Sequence, residues 1–445
     1  MIRKLMIWVK GKLYIIPFLF GLSFAIFSVF LLYFDTIAYD RFSGIIPSWL
    51  FNTSAKSITL VTLVISSLVT MVTITFSIMM VVLTIYGSQL SSRSLKDFLN
   101  KKITLKILGY YIGALIFSLI QLNFGVNENN AMGIGATICI FLLIIGVIVL
   151  IYFIHFIAKS IQINLYIDDV TRETMTLLEV SKKHVYSSIY IEGGNIEDYT
   201  KELQGEQWEV LSAKSGYIQY YDRKKLLEIT KEFNIQVLCD ILIGEYILPN
   251  EVLIKVYNRE AALDETALTE KLLEAVFIGD EPDLFKDIST GSKRIIDVAL
   301  KALSPGINDP STAITCIQKI GYLLLEIAKG LEANVYLDEE ERVRVIIRSI
   351  SFHRLLYNHF YQIKHYGGKD MFILEAILTA LTKVANESNF DIKKQVWEFA
   401  KYLMVDIDLK SYHEMEQKML SERFYQLSRA VNVEYEFDGW KSWLI

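Results

Sequence analysis

The sequence predicts an α-helical membrane domain of four transmembrane helices, followed by an α+β part made of a small β-rich module and an all-α helical module. Two observations lead to this fold class. Apolar residues make up 52% of the 445-residue chain, and the excess is concentrated in residues 1–158. Charges are distributed the opposite way: of 45 Lys and Arg only 11 lie in 1–158, and of 50 Asp and Glu only 4 do.

Four segments are apolar and long enough to cross the hydrocarbon core, which takes about 20 residues. They are 14–34, 57–92, 107–124 and 134–158. The first three contain no charged side chain, and the fourth contains only His155. The first apolar run is too long for the core of a cleaved signal peptide and has no small-residue cleavage site after it. We therefore expect four membrane spans.

The distribution of Lys and Arg predicts both chain ends on the cytoplasmic side of a bacterial inner membrane. Four basic residues precede the first segment and five lie between the second and third, whereas the other two loops hold only Arg41 and Lys56. Loops rich in Lys and Arg remain in the cytoplasm. An even number of spans agrees with this orientation.

The charge balance also limits the partners that we expect. Residues 159–445 have a net charge of −12, against +7 for 1–158. Nucleic acid needs a basic surface, so we expect a lipid bilayer as partner and no nucleic acid. The three cysteines, Cys139, Cys239 and Cys316, form no metal-binding spacing, and we expect them to be free thiols.

We divide the chain into a four-helix transmembrane domain (1–158), a connecting helix (159–184), a β-rich module (185–260) and a helical module (261–445). Strands are predicted at 185–192, 208–213, 217–221, 235–243 and 251–258. A helix over 222–234 is predicted to be capped by Asp222. Beyond Asp264, amphipathic runs predict helices, including one over 338–366 with Asp338 as a solvated cap.

The second apolar segment carries eight hydroxyl residues on one face, the hydroxyl stripe. They are Thr59, Thr62, Ser66, Thr70, Thr73, Ser77, Thr84 and Ser88. At about 100° per residue they fall within an arc of roughly 80°. Gln89 and Arg93 follow the stripe at its predicted cytoplasmic end as candidates for an inner mouth, although Arg93 is most simply an anchor for the topology.

Two interpretations of the hydroxyl stripe remain open. Ser and Thr in membrane helices can bond to their own i−4 carbonyls or across a tight seam between helices. Alternatively, the stripe lines a water-filled path near an oligomer axis, where hydroxyls replace ion or water contacts without a fixed charge. Small hydroxyl residues suit the first interpretation, whereas the length of this uncharged run, beyond the ~20 residues of one span, supports the second.

No catalytic motif is present. The chain lacks HExxH, GxSxG and Walker sequences. His353, His359 and His365 are spaced by six residues rather than four, so we expect them on a polar helix face and not around a metal. We therefore expect no enzyme activity, no catalytic residue, no cofactor and no metal.

The stretch KALSPGINDPSTAIT (301–315) predicts a corner between two helices. Pro305 ends the first helix, Gly306 can take a left-handed conformation, Asp309 caps the second helix and Pro310 is its first residue. The free N–H groups near the start of the second helix also make an anion site conceivable, whereas two oxygen donors are too few for a cation. The candidate residues of this loop are Ser304, Pro305, Gly306, Asn308, Asp309, Pro310, Ser311 and Thr312.

DVALKALSPGINDPSTA (297–313) resembles the signature DIALRALSPGINDPxTA of a widespread bacterial family of predicted integral membrane proteins of unknown function. GSQLSSRSLKDFL (87–99) and SGYIQYYD (215–222) match the order of motifs in that family. Lys301 stands where Arg is usual, and GDEPDLFKDISTGSKR (279–294) departs from the Gln-Asp and Phe-Gly residues that are usual in that family. The resemblance implies the membrane topology and leaves the activity open.

Together these patterns predict an oligomeric inner-membrane protein that is channel-like or pore-forming, with small ions as candidate partners. The hydroxyl stripe would line the pathway, and the cytosolic part would be a vestibule or gate. One chain buries little polar surface, so the stripe favours an axis shared by a homo-oligomer. The alternative is a non-transporting, membrane-anchored signalling or scaffold protein whose cytosolic module binds a ligand or partner.

Overall fold

The structure is a computed structural model that describes residues 15–42, 54–89, 95, 98, 102–125, 134–185, 199–258, 264–280, 288–329, 334–348, 350–405, 407 and 409–436. The chain divides into two compact units, Met1–Leu165 and Tyr166–Ile445, named below the membrane unit and the C-terminal unit. Most of the strand predicted at 185–192 lies outside the described residues.

Four helices of the membrane unit are long and apolar enough to cross a bilayer. They are α1 (Ile15–Phe42), α2 (Ser54–Gln89), α3 (Lys102–Phe124) and α4 (Ile134–Ser160). They coincide with the four predicted segments and confirm this part of the predicted fold class. With 36 residues, α2 is about 54 Å long, well beyond the ~30 Å thickness of the hydrocarbon core.

Helix α3 is the most buried of the four spans and packs against each of the other three helices. Its approach to α1 depends on Gly109 and Gly113, which are one helical turn apart. A Cβ atom at Gly113 would lie 2.8 Å from the ring of Phe24, and one at Gly109 would lie 3.0 Å from Phe20. Small residues at this spacing let two membrane helices approach closely, and α1 uses the space for two aromatic rings.

Polar side chains of α3 add hydrogen bonds to α1 and α4. The hydroxyl of Tyr111 donates to the carbonyl oxygen of Gly146 in α4 at 2.9 Å. Gln121, 1% exposed, donates from Nε2 to Oγ of Ser28 in α1 at 3.0 Å. Hydrogen bonds between membrane helices contribute about 0.6 to 2 kcal/mol each. These contacts therefore add little to stability and mainly set the orientation of α3 relative to α1 and α4.

Replacing Gly113 by Ala should destabilise the membrane unit by about 1 to 3 kcal/mol, the usual effect of overpacking, because the new methyl group would collide with Phe24. Thermal unfolding of the full-length protein in detergent measures this. Gly87→Ala in α2 is the matched control, since no heavy atom lies within 4 Å of its Cβ position. Equal melting temperatures for the two variants would contradict the close approach of α1 and α3.

The C-terminal unit contains two sheets and a layer of helices, joined to the membrane unit by α5 (Ile163–Val185). Its strands are β1 (Glu206–Leu211), β2 (Gly216–Tyr221), β3 (Ile235–Cys239), β4 (Tyr246–Ile247), β5 (Val252–Asn258), β6 (Val276–Gly279), β7 (Asn334–Leu337) and β8 (Val343–Ile347). Its further helices are α6 (Arg223–Glu232), α7 (Glu265–Leu273), α8 (Ile288–Ala302), α9 (Pro310–Ala328), α10 (Phe352–Gly367), α11 (Met371–Asn386), α12 (Phe390–Val405) and α13 (Glu414–Ala430).

The larger sheet has the order β1-β5-β3-β8-β7, and the smaller has the order β4-β2-β6. All neighbouring strands are antiparallel except β3 and β8, which pair in parallel with Val237 opposite Val345. Because β7 and β8 follow residue 261, the larger sheet crosses the boundary predicted between the β-rich and helical modules. Its core side packs against Leu226 of α6 and Leu268 of α7.

The predicted secondary structure is right for much of this unit, but the module predicted to be all-α also contains the strands β6, β7 and β8. Asp222 caps α6, as predicted, by accepting the backbone N–H of Lys225. The helix predicted over 338–366 is wrong in its first part: residues 343–347 form β8, and α10 begins only at Phe352. The β-branched residues of VRVII favour a strand, and here its five residues are all buried.

Asp338, predicted to be a solvated helix cap, is instead a buried carboxylate in the turn between β7 and β8, with 3% of its surface exposed. Its Oδ1 accepts the backbone N–H groups of Glu340 and Arg342, each at 3.0 Å. Its Oδ2 accepts Nε of Arg342 at 2.9 Å and Nε of Arg344 at 2.8 Å. Nη1 of Arg344 donates a further hydrogen bond, at 2.9 Å, to Oδ1 of Asn234 in the turn before β3.

Burial by itself would raise the pKa of Asp338, but these hydrogen bonds outweigh it and hold the pKa well below the usual range of a carboxyl group. Replacing Asp338 by Asn should therefore destabilise the C-terminal unit by about 3 kcal/mol, because the buried Arg344 would lose its counter-charge. Glu340→Gln is the control, since Glu340 pairs with Arg342 from an exposed position and such pairs contribute less than about 1 kcal/mol.

The measurement is thermal unfolding of full-length protein in detergent, at neutral and acid pH. A carboxyl group with a depressed pKa stabilises the folded state above its unfolded pKa, near about 4, and this contribution is lost as the pH falls towards the folded value. The difference in melting temperature between wild type and Asp338→Asn should thus shrink in acid. A difference that is independent of pH would contradict the charged state of Asp338.

Candidate functional site

The hydroxyl stripe lies on the outward face of α2. All eight of its residues, from Thr59 to Ser88, are exposed in the single chain. The residues of α2 that pack inside the membrane unit are Ser57, Val61, Val64, Leu68, Thr75, Val82 and Tyr86, all at most 3% exposed. At about 100° per residue the centres of these two sets lie about 180° apart. The stripe therefore points away from α1, α3 and α4 of its own chain.

Hydroxyl groups of the stripe donate to the backbone of their own helix. Those of Thr62, Ser66, Thr70, Thr73 and Thr84 bond to the carbonyl oxygen four residues earlier at 2.8 to 3.0 Å, and that of Ser88 bonds three residues earlier at 3.2 Å. Each donor is thereby used within the helix. A hydroxyl oxygen has two lone pairs. The outward surface of these six side chains therefore presents hydrogen-bond acceptors without a fixed charge.

Apolar residues flank the stripe on both sides. Leu63 and Val81 lie beyond one edge and are 59% and 58% exposed, and Val69 and Phe76 lie beyond the other, with 47% and 45% exposed. Of the candidates for an inner mouth, Gln89 is the last residue of α2, but its side chain and all of Arg93 lie outside the described residues. The described stripe is thus a polar line between two apolar margins.

The loop at 304–310 forms a closed corner between α8 and α9. The structure confirms Asp309 as the cap of α9 and Pro310 as its first residue. Asp309 accepts the backbone N–H of Thr312 at 3.1 Å and its hydroxyl at 2.6 Å. Ser304 donates from Oγ to the carbonyl oxygen of Lys301 at 2.6 Å. Both carboxylate oxygens of the cap are therefore used at the helix start.

The left-handed residue of this corner is Asn308, with φ of 49°, and not Gly306 as predicted. Asn tolerates this conformation better than most residues, which explains its place one residue before the cap. Gly306 lies at the tip of the loop, where no heavy atom stands within 4 Å of a Cβ position. Ser311 is exposed at the start of α9, and an anion there would meet the carboxylate of Asp309.

The three cysteines are free and buried, as predicted for thiols. Cys316, on α9, is the nearest to the corner. Burial raises its pKa to about 12, and the charge of Asp309 acts in the same direction. The thiol therefore stays protonated at neutral pH and is a poor nucleophile. Among the described residues, no group of three His, Cys, Asp or Glu side chains is placed to hold a metal ion.

His359 is buried, which corrects the prediction of a polar face for all three histidines of α10. His353 and His365 are exposed, but His359 is 3% exposed. Its Nδ1 lies 2.7 Å from the carbonyl oxygen of Leu355, which only accepts, so Nδ1 carries the hydrogen. Nε2 then accepts the hydroxyl of Ser292 on α8 at 2.7 Å. The pair joins two helices inside the core, and its sequence separation of 67 residues offers no signal that could have found it.

The fold and the stripe define a multi-pass membrane protein with a C-terminal α+β unit. The chain belongs to the family described as predicted membrane protein (DUF2254), whose model matches residues 10–383. This finding confirms the family resemblance seen in residues 297–313.

Uncharacterized proteins from Mycobacterium bovis and from two strains of Mycobacterium tuberculosis are similar to this chain. Each is 26% identical over 331 residues, which make up 72% of this chain and 62% of the relative. The aligned region thus spans less than two thirds of the length of the curated relatives. No solved structure matches the chain significantly.

Replacing Asp309 by Ala should destabilise the C-terminal unit by about 1 kcal/mol, because the start of α9 would lose its cap. Gly306→Ala should leave stability unchanged, since its methyl group would meet no neighbour and needs no left-handed backbone. Thermal unfolding of the two full-length variants measures the difference. A destabilised Gly306→Ala protein beside an unaffected Asp309→Ala protein would show that the tip, and not the cap, holds the corner.

Proposed function

We propose that the protein assembles as a homo-oligomer in the bacterial inner membrane, with the hydroxyl stripes of several α2 helices around a shared path for small ions. Both chain ends and the C-terminal unit would be cytosolic, with that unit as vestibule or gate. The observation that carries the proposal is the exposure of all eight stripe residues on the face opposite to the buried face of α2.

The energetics of the bilayer support a covered or hydrated stripe. A hydroxyl oxygen that faces hydrocarbon finds no hydrogen-bond donor, and polar groups without partners are costly in an apolar medium. Eight such groups in line would each contribute a small penalty if lipid covered them. Contact with water, or with the same face of a second α2, would remove this penalty. The apolar margins, such as Leu63 and Phe76, suit packing against a neighbouring subunit or lipid.

The chemistry of the stripe favours water and small cations over anions. The hydroxyl hydrogens of Ser66, Thr70 and Thr73 point to carbonyl groups of α2, so the lone pairs of their oxygens present partial negative charge. Oxygen dipoles can replace part of the hydration shell of a cation without binding it so tightly that it cannot leave. The length of α2, about 54 Å, would extend such a path beyond the hydrocarbon core.

Two neighbouring serines give a matched test of the path. Ser66 lies on the stripe and Ser67 lies off it, and each donates to its i−4 carbonyl, at 2.9 and 2.8 Å. In liposomes that contain the full-length protein, Ser66→Ala should lower potassium flux about fivefold if one oxygen stabilises the ion by about 1 kcal/mol. Ser67→Ala should leave flux close to that of wild type.

Absence of flux through the wild-type protein would contradict the channel, as would equal effects of the two serine variants. The internal hydrogen bonds of the hydroxyls also fit a second candidate, a closed seam between α2 helices in a non-transporting, membrane-anchored scaffold or signalling protein. If the wild-type protein shows no flux and Thr70→Cys forms a disulfide between subunits, this candidate would be favoured. The C-terminal unit would then bind a ligand or partner.

A further inference from the structure

The connection between α4 and α5 is a short break in an otherwise helical path. Helix α4 ends at Ser160, α5 begins at Ile163, and the two residues between them are not helical. The last carbonyl groups of a helix have no partner within it. The end of α4 is therefore a place where an added hydrogen bond to the backbone decides how firmly the chain is held.

Helix α2 contacts the end of α4, just before this break. The hydroxyl of Tyr86 donates to the carbonyl oxygen of Ser160 at 2.6 Å. Tyr86 is 1% exposed, and its ring lies 4.9 Å from that of Phe98, also buried. Along α2, Tyr86 lies between Thr84 and Ser88 but on the opposite face, so the contact fixes the end of the hydroxyl stripe.

We propose that the hydrogen bond from Tyr86 to Ser160 is a latch that holds the last turns of α2, and with them the end of the hydroxyl stripe, against the end of α4. Loss of the hydrogen bond to the carbonyl group of Ser160 would free the last turns of the hydroxyl stripe. The ion-flux readout of this proposal rests on the proposed function. A hydrogen bond contributes about 1 kcal/mol, which shifts an equilibrium between latched and released states about fivefold.

A second tyrosine shows why the position of the latch matters. The hydroxyl of Tyr111 donates at 2.9 Å to the carbonyl oxygen of Gly146, in the middle of α4. The donor and acceptor chemistry is the same, but Gly146 is flanked by helix on both sides and Tyr111 is not on α2. If each hydrogen bond only added general stability, the two hydroxyl groups would be equivalent, whereas a latch makes the exposure of residue 88 depend on Tyr86 alone.

The experiment compares Tyr86→Phe with Tyr111→Phe in the full-length protein, each combined with Ser88→Cys. The native cysteines are buried, so a water-soluble maleimide reports mainly on residue 88 at the end of the stripe. Tyr86→Phe should raise the rate of modification about fivefold over wild type, the effect of losing about 1 kcal/mol. Tyr111→Phe should leave it unchanged, although both variants lose one hydrogen bond and should have similar melting temperatures.

The same proteins in potassium-loaded liposomes separate this proposal from the proposed function. A selective rise in modification with no flux in any variant would support the latch and overturn the channel. Equal rates in the two tyrosine variants would overturn the latch, whatever the flux. If Tyr86→Phe does not fold, Phe98→Leu keeps the hydroxyl and loosens its ring contact; it should raise the rate in the same direction, and an unchanged rate would overturn the latch.

Discussion

The membrane unit depends on the opposition of two faces of α2. The bilayer offers no water, so a spanning helix has to satisfy its backbone internally and choose a surface for each side chain. In α2 the residues that pack against its own chain, such as Leu68 and Tyr86, repeat with the same period as the hydroxyl residues but half a turn away. Packing one face inward therefore forces the other outward, and the shape of any oligomer has to accommodate that outward face.

Contacts between residues distant in sequence hold each unit in its shape. In the membrane unit, Gly113 admits the ring of Phe24, and Tyr111 reaches the backbone of α4. In the C-terminal unit, β8 pairs in parallel with β3 across more than a hundred residues, and Asp338 neutralises the buried Arg344 beside that pairing. Neither the parallel pairing nor the buried carboxylate is stable without the rest of the sheet around it.

The family signature and the proposed path lie in different units. Within the signature, Asp309 and Pro310 start α9, Asn308 takes the left-handed turn and Ser304 bonds to the end of α8. These roles explain a helix corner of fixed geometry. The chemistry that faces outward is that of α2, and the latch proposed at Ser160 acts on the end of that helix. Membership of the family thus identifies the architecture, and the outward stripe supplies the functional hypothesis.

The sequence by itself determined the four spans, the hydroxyl stripe and the caps at Asp222 and Asp309, because hydrophobic length, helical period and capping chemistry are local properties. Only the tertiary structure decided that the stripe faces away from its own chain, because helical period defines a face but not its neighbour. It also decided that VRVII (343–347) is a strand and that His359 is buried against Ser292. In both cases the deciding partner is remote in sequence, and local propensity is weaker than the contacts that partner provides.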